Sequence, residues 1–211
     1  MKNFTLKRIG AYLIDILVVS MLVMLVGQLN FINPNKDKYL KTYEAYTEYY
    51  DSHFGNITTE EVDDIINDEY IKYMYDLQYY AIGNTIAEAV IIILYFTLFP
   101  KFNNDQTIGK RFFKIKLENV NDKKKVSIWQ HLLRSITMPI VANIIMYTSV
   151  TSLLNILALF IFKGMNYLYA NLAITYIINI ICYIDIILVF VRKDNRSLHD
   201  IISKTKVVEK C

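Results

Sequence analysis

The chain has 211 residues, 54% of them hydrophobic and 20% charged, with a formal net charge of +3 and a mean hydropathy of +0.27. Its apolar residues fall in long blocks, a composition that excludes an average soluble domain. With no nucleophile elbow, no phosphate-cradling glycine loop, no metal motif and only Cys182 and Cys211 as thiols, neither an enzyme nor a cofactor- or metal-binding protein is expected.

Four blocks reach the roughly 20 residues needed to cross a bilayer as a helix: 9–29, 80–100, 136–162 and 168–191. The expected fold is an all-α integral membrane protein with four transmembrane helices. The first block is too long for a signal peptide and has no small-x-small site before Asn30. Asp15 is its only ionisable residue, and a carboxylate at membrane depth costs roughly 2.5–3.5 kcal/mol on insertion scales. Arg8 lies two helical turns earlier, so Arg8, Ala11 and Asp15 share one face.

Residues 30–79 form an acidic, tyrosine-rich insert on the outer side. Tyr39, Tyr43, Tyr46 and Tyr50 keep helical spacing, as do Ile66, Tyr70, Tyr73, Leu77 and Tyr80. Thr58 and Glu61 form a capping-box pattern before the second stripe, and Asn33-Pro34 and Gly55-Asn56 mark breaks. The pattern predicts a helical hairpin whose tyrosine faces meet each other or lie in the headgroup zone. Its second reading is an ectodomain that binds a ligand or protein partner.

Residues 101–135 form a basic loop on the inner side. After Phe112 the segment Arg111–Asn119 alternates apolar and polar residues as a strand does, Val120 to Lys123 supplies a turn, and Lys124–Ile128 is expected to return as a second strand. Ser127 is the expected N-cap of an interfacial helix anchored by Trp129, leading into the third span, where Pro139 fits an early turn or mild kink. Lys123-Lys124-Lys125 serves as a topology signal or attracts anionic headgroups.

Only Lys36, Lys38, Lys41, Lys72 and Lys163 of the 23 Lys and Arg residues fall outside when the N-terminus is placed inside. The positive-inside rule therefore puts both termini in the cytoplasm. The same rule explains the basic loop, so nucleic acid is not an expected partner.

Three carboxylates sit at membrane depth: Asp15, Glu88 and Asp185. Asp15 and Asp185 each lie about 9 Å inside the same boundary at 1.5 Å per residue. A structural lock formed with Arg8 or Arg134, a shared ion or proton site, and exposure to a wet vestibule all fit this depth. Glu88 lies nearer the bilayer centre. Asn143, Asn155, Asn166, Asn171 and Asn179 suit interhelical hydrogen bonds.

Three segments carry a resemblance. Residues 8–15 are similar to an opening Arg-x-x-Ala-x-x-x-Asp. Gln106-Thr107-Ile108-Gly109-Lys110-Arg111, followed by Ile115-Lys116-Leu117, resembles a Gly-Gln-Thr-Ile-Gly-Lys-Arg stretch and strand, with Asp105 in the place of the first glycine. Arg196-Ser197-Leu198-His199-Asp200 and Thr205-Lys206-Val207-Val208 resemble a closing Arg-x-Leu-His-Asp and Thr-x-Val-Val. In this order they resemble the RDD family of bacterial membrane proteins over residues 8–208, leaving 30–79 without a counterpart. The family name denotes one arginine and two aspartates, which here are Arg8, Asp15 and either Asp185 or Asp200.

The resemblance implies a multi-pass protein of the bacterial inner membrane and leads to transport of a solute, cation/proton exchange included. In this expectation Asp15 and Asp185 form the site, Arg8 keeps them ionised, and Glu88 is a further candidate. Gln106, Thr107, Gly109, Lys110, Arg196, His199, Asp200 and Thr205 are structural, with Asp200 paired to Arg8 or Arg111 and residues 205–208 adding a strand beside 113–117. No internal repeat is visible, so transport would call for a homo-oligomer. The alternative is a non-transporting membrane module that engages a protein through residues 30–79.

Overall fold

A computed structural model describes residues 2–54, 67–121, 125–142 and 145–210. It is mostly helical. Three helices are long and apolar enough to cross a membrane: α1 (Lys2–Gly27), α4 (Ile82–Phe102) and α8 (Met165–Val191). Between α1 and α4 stand α2 (Lys36–Phe54) and α3 (Asp68–Tyr80). After α4 come the short α5 (Ile108–Phe112), β1 (Ile115–Asn119) and α6 (Ile128–Thr137). A small hairpin of β2 (Ile140–Ala142) and β3 (Ile145–Tyr147) then leads to α7 (Ser149–Ile161). The short α9 (Leu198–Ile202) and β4 (Thr205–Glu209) close the chain.

On α1 the buried positions are Ala11, Asp15 and Val19, one every four residues, while Leu13, Leu17, Met21, Met24 and Leu25 are exposed. That single inward stripe is the geometry of a helix with lipid around most of its circumference. It also fixes where Asp15 points. α1 packs on α4 and α5, α7 packs on α4 and α8, and α1 and α8 make little contact with each other. The central cluster is Val19, Ile92, Tyr95, Phe96, Met138 and Ile140, with Tyr12, Ile16 and Tyr147 against it.

The block 136–162 is not one continuous helix. Residues preceding a proline avoid the helical region, and Met138, before Pro139, is extended at φ −72°, ψ 127°, which ends α6. The backbone then pairs with itself through Ile140 to Tyr147 and Val141 to Met146 before Thr148 caps α7. Pro139 thus starts a hairpin inside the helical mass rather than kinking a span. Ser127 does cap α6 through a reciprocal box with Gln130, and Trp129 is 70% exposed.

The strand partner expected within the basic loop is also replaced. β1 pairs antiparallel with β4, in the register Leu117 to Val207. Residues 125–127 are not a strand: the Val126 N–H is taken by Asp105, and the Val126 carbonyl accepts from Lys101. Residues 122–124, which include most of the lysine run, lie outside the described residues. The β1–β4 pair covers a core of Ala11, Ile115, Leu117, Val126 and Val207 and gathers both termini at one end.

At the other end α2 and α3 meet through tyrosines, as expected, but on a rotated face. Tyr46 and Tyr49 pack on Tyr70 and Tyr73, with ring centroids 5.8–6.5 Å apart. Tyr49 is buried, whereas Tyr43 and Tyr50 of the anticipated stripe are exposed. Asn67 caps α3; the Thr58–Glu61 box and Gly55-Asn56 fall outside the described residues.

Candidate functional site

The end that carries the termini contains a buried cluster of charges. Asp15 is 1% exposed and reaches three donors. Tyr95 Oη donates at 2.7 Å and the Gly109 N–H at 2.8 Å to Oδ1, and Thr107 Oγ1 donates at 2.5 Å to Oδ2. Lys110 Nζ stands 3.9 Å from Oδ2, an ion pair without a hydrogen bond. A carboxylate removed from water needs this many donors to persist. Thr107 and Gly109 belong to the cap and first turn of α5, so Asp15 ties α1 to that helix. A Cβ at Gly109 would collide with the Ala11 carbonyl oxygen, so the approach requires glycine.

Asp185 is held in the same manner by α9. Its Oδ1 accepts the His199 N–H at 2.8 Å, and Nδ1 of the His199 ring lies 2.8 and 2.9 Å from its two oxygens. Burial pulls the His199 pKa down to about 4, with Arg134 and Arg8 in the same direction and Asp185 opposing. His199 is therefore neutral at pH 7 and donates from Nδ1. Asp200, wholly buried, takes both guanidiniums: Arg8 Nη2 at 2.7 Å and Arg134 Nη1 in close contact. Arg8 also donates to the Asn195 carbonyl.

The two aspartate docks are related. Span α4, cap Thr107, α5 and β1 recur as span α8, cap Ser197, α9 and β4. Positive-φ residues recur with them: Asp105 at 60° and Asn195 at 50°, then Lys114 at 54° and Lys204 at 53°. Each matched pair is 90 positions apart, as are Gly109 and His199, whose N–H groups bind the two aspartates. Leu117 pairs with Val207, its own counterpart, so the two units face each other as antiparallel strands do. An internal repeat therefore exists, carried by caps and backbone angles.

Asp15, Asp185, Arg8, Lys110, Arg134 and His199 all line one cavity of about 240 Å³, between α1, α4, α6 and α8. Its remaining walls are apolar: Ile9, Tyr12, Phe96, Met138, Pro139, Ile186, Val189 and Phe190 among them. Glu88 is elsewhere. It accepts a short hydrogen bond from Tyr147 and lines a second cavity of about 220 Å³ with Gln78, Thr85, Thr151, Ser152 and Asn155.

A model of the RDD family matches residues 4–204, nearly the whole chain. The chain belongs to the RDD family. No curated protein and no solved structure matches it.

The RDD residues can now be placed. The pairing of Arg8 with Asp15 suggested by their shared face does not form: Tyr95, Thr107 and Gly109 already donate to Asp15, and Arg8 pairs with Asp200, its other expected partner. Of the two arginines expected at Asp200, Arg8 is there and Arg111 is not; Arg134 is the second partner. Asp15 and Asp185 do not share a donor: each has its own, although both face the same cavity. Gln106 bridges the Ile115 carbonyl and the Lys210 ammonium. Arg196 pairs with Asp194 at 2.7 Å on the surface, and Thr205 lies beside Arg134 and Ser203. Asp105, standing where the RDD motif has glycine, adopts that left-handed backbone and accepts His131 Nε2 at 2.9 Å. Tyr95, Arg134 and the Asp105–His131 pair complete the cluster. Of these, only Arg134, already a candidate lock for the buried carboxylates, had a signal in the sequence.

Two predictions follow from the cluster. Asp200→Asn strands two buried guanidiniums and lowers unfolding free energy by about 3–5 kcal/mol, whereas Asp194→Asn on the surface changes it little; equilibrium unfolding in detergent measures both. Because the folded His199 pKa lies below the unfolded value near 6.5, the unfolded chain binds more protons between them. Thermal stability should fall as pH drops from about 6.5 to 4, and His199→Gln should flatten that fall.

Proposed function

We propose that this RDD protein is a multi-pass membrane transporter of a small solute, and not an enzyme. In this reading both termini are cytoplasmic, in a bacterial inner membrane, and there are four crossings. The third crossing is assembled from the β2–β3 hairpin and α7, whose 13 residues span only about 20 Å alone.

The observation that carries the reading is this broken crossing. Non-helical backbone at membrane depth is tolerated where it is buried in protein or lines a cavity, and discontinuous segments mark binding sites in transporters. Here Met138 and Pro139 line the cavity of Asp15 and Asp185, while Tyr147, paired across the hairpin with Ile140, lines the cavity of Glu88. Ile140, Ile92 and Val19 fill the space between. Two cavities separated by a thin, discontinuous barrier are what alternating access requires. A bare cation between Asp15 and Asp185 fits less well, because protein donors already occupy both carboxylates.

The competing reading is a partner-binding module, favoured by exposed Phe31, Tyr43, Tyr50 and Tyr79 around the α2–α3 hairpin. Flux separates the two. In proteoliposomes with an entrapped pH-sensitive dye, gradients of sodium chloride and of sodium butyl phosphate are imposed in turn. At least one should drive proton movement tenfold faster than in empty liposomes, with Asp15→Asn and Glu88→Gln each removing the gain while remaining folded. A rate equal to that of empty liposomes under both gradients contradicts transport.

A further inference from the structure

The cavity of Asp15 and Asp185 has an imbalance between donors and acceptors. The carboxylate acceptors are taken: both oxygens of Asp15, both of Asp185 and both of Asp200 have partners, which leaves the His199 Nε2 lone pair as a neutral acceptor. The donors are not. Lys110 is 7% exposed; its ammonium stands 3.9 Å from Asp15 Oδ2 and 5.9 Å from the Phe96 ring centre, but its one hydrogen bond among the described residues is to Thr107 Oγ1 at 3.2 Å. Arg134 is 5% exposed and donates through Nη1 alone, to Asp200 and Thr205; its Nε and Nη2 have no partner among the described residues. Both side chains line the cavity. Buried charged donors without acceptors are costly. Burial accordingly draws the Lys110 pKa down to about 8, against the pull of Asp15.

The walls restrict what can supply the missing acceptors. Ile9 and Tyr12 come from α1, and Ile186, Val189 and Phe190 from α8, the two spans that barely touch. The gap between them has apolar side chains on both sides and reaches the two cationic groups. A small hydrophilic anion leaves the apolar side of the cavity uncovered, and a neutral lipid leaves the donors unmatched.

We infer that this cavity binds an anionic amphiphile, with a carboxylate or phosphate head on Lys110 and Arg134 and an alkyl chain in the cleft between α1 and α8. The head supplies oxygens to Lys110 Nζ and to Nη2 of Arg134, the planar group best suited to a two-oxygen acceptor. The chain lies along Ile186, Val189 and Phe190. This assignment rests on the cavity being a binding chamber, as proposed above, and names the class of molecule it takes. It does not depend on transport.

Equilibrium binding tests it without a flux measurement. The full-length protein, purified in a neutral maltoside detergent, is titrated with dodecanoate, dodecyl phosphate, dodecanol, dodecyltrimethylammonium, acetate and inorganic phosphate, and thermal stability and calorimetric binding are recorded. Dodecanoate and dodecyl phosphate should both bind and raise the melting temperature. Dodecanol and dodecyltrimethylammonium should bind at least tenfold more weakly, and acetate and inorganic phosphate should not bind measurably. Lys110→Gln should weaken binding of the acids at least tenfold. Val189→Trp, which fills the cleft and leaves every ion pair intact, should do the same, so a folding defect at Lys110 does not blunt the test. Preference for the cationic or neutral amphiphile, equal binding of all four, or binding of free phosphate without a chain overturns the assignment. Loss of flux with acid binding intact would instead remove transport alone.

Discussion

The structure is organised by the need to give each buried carboxylate enough donors. Asp15, Asp185 and Asp200 are removed from water, and a charged oxygen there is stable only when several hydrogen bonds replace its hydration. The chain satisfies each one with a segment distant in sequence: residues 107–109 for Asp15, His199 for Asp185, Arg8 and Arg134 for Asp200. Each requirement therefore fixes a piece of tertiary structure. Asp15 seats α5 against α1. Asp185 seats α9 against α8. Asp200 draws α1 and α6 onto the tail, so that β4 reaches β1 and seals the end of the bundle.

This arrangement separates the roles of the RDD residues. Arg8 and Asp200 act as a clamp, with Arg134 as its third member. Asp15 and Asp185 dock two short helices and at the same time face one cavity. The duplication of span, cap, short helix and strand places these docks in equivalent positions, and the antiparallel pairing of Leu117 with Val207 joins the units through matched residues. What remains unmatched is a surplus of cationic N–H groups under apolar walls. The proposed function rests on that remainder and on the hairpin of β2 and β3, more than on the aspartates that first draw the eye.

Much of the fold was legible in the sequence. Long apolar blocks gave three helices long and apolar enough to cross a membrane, the alternation after Phe112 gave β1, and Ser127 gave the start of α6. The tyrosine hairpin was legible in kind but not in face, because with ten tyrosines in α2 and α3, many at near-helical spacing, the partner helix decides which are buried. The break at Pro139 was misread because apolar composition cannot distinguish a continuous helix from a buried hairpin between helices; only the conformational bias of the residue before proline pointed to it. The pairing of Arg8 with Asp200 was one of two that the motif suggested, but the donors of Asp15 and Asp185 were not legible, since a shared helical face says what is near in one helix and nothing about what arrives from another. The repeat was hidden for a related reason: Thr107 and Ser197, or Asp105 and Asn195, are equivalent in hydrogen bonding and backbone angle while differing in identity.

Access from the two sides of the membrane tests the central claim most directly. Single cysteines are placed at Val189 in the first cavity, Ser152 in the second and Ile140 in the barrier, in a chain whose Cys182 and Cys211 are replaced by serine or alanine. A membrane-impermeant maleimide is then applied from either face of oriented vesicles. The account predicts labelling at position 189 only from the face that carries the termini, at 152 only from the opposite face, and at 140 from neither. Labelling of 189 and 152 from the same face, or of 140 as fast as either, would contradict it.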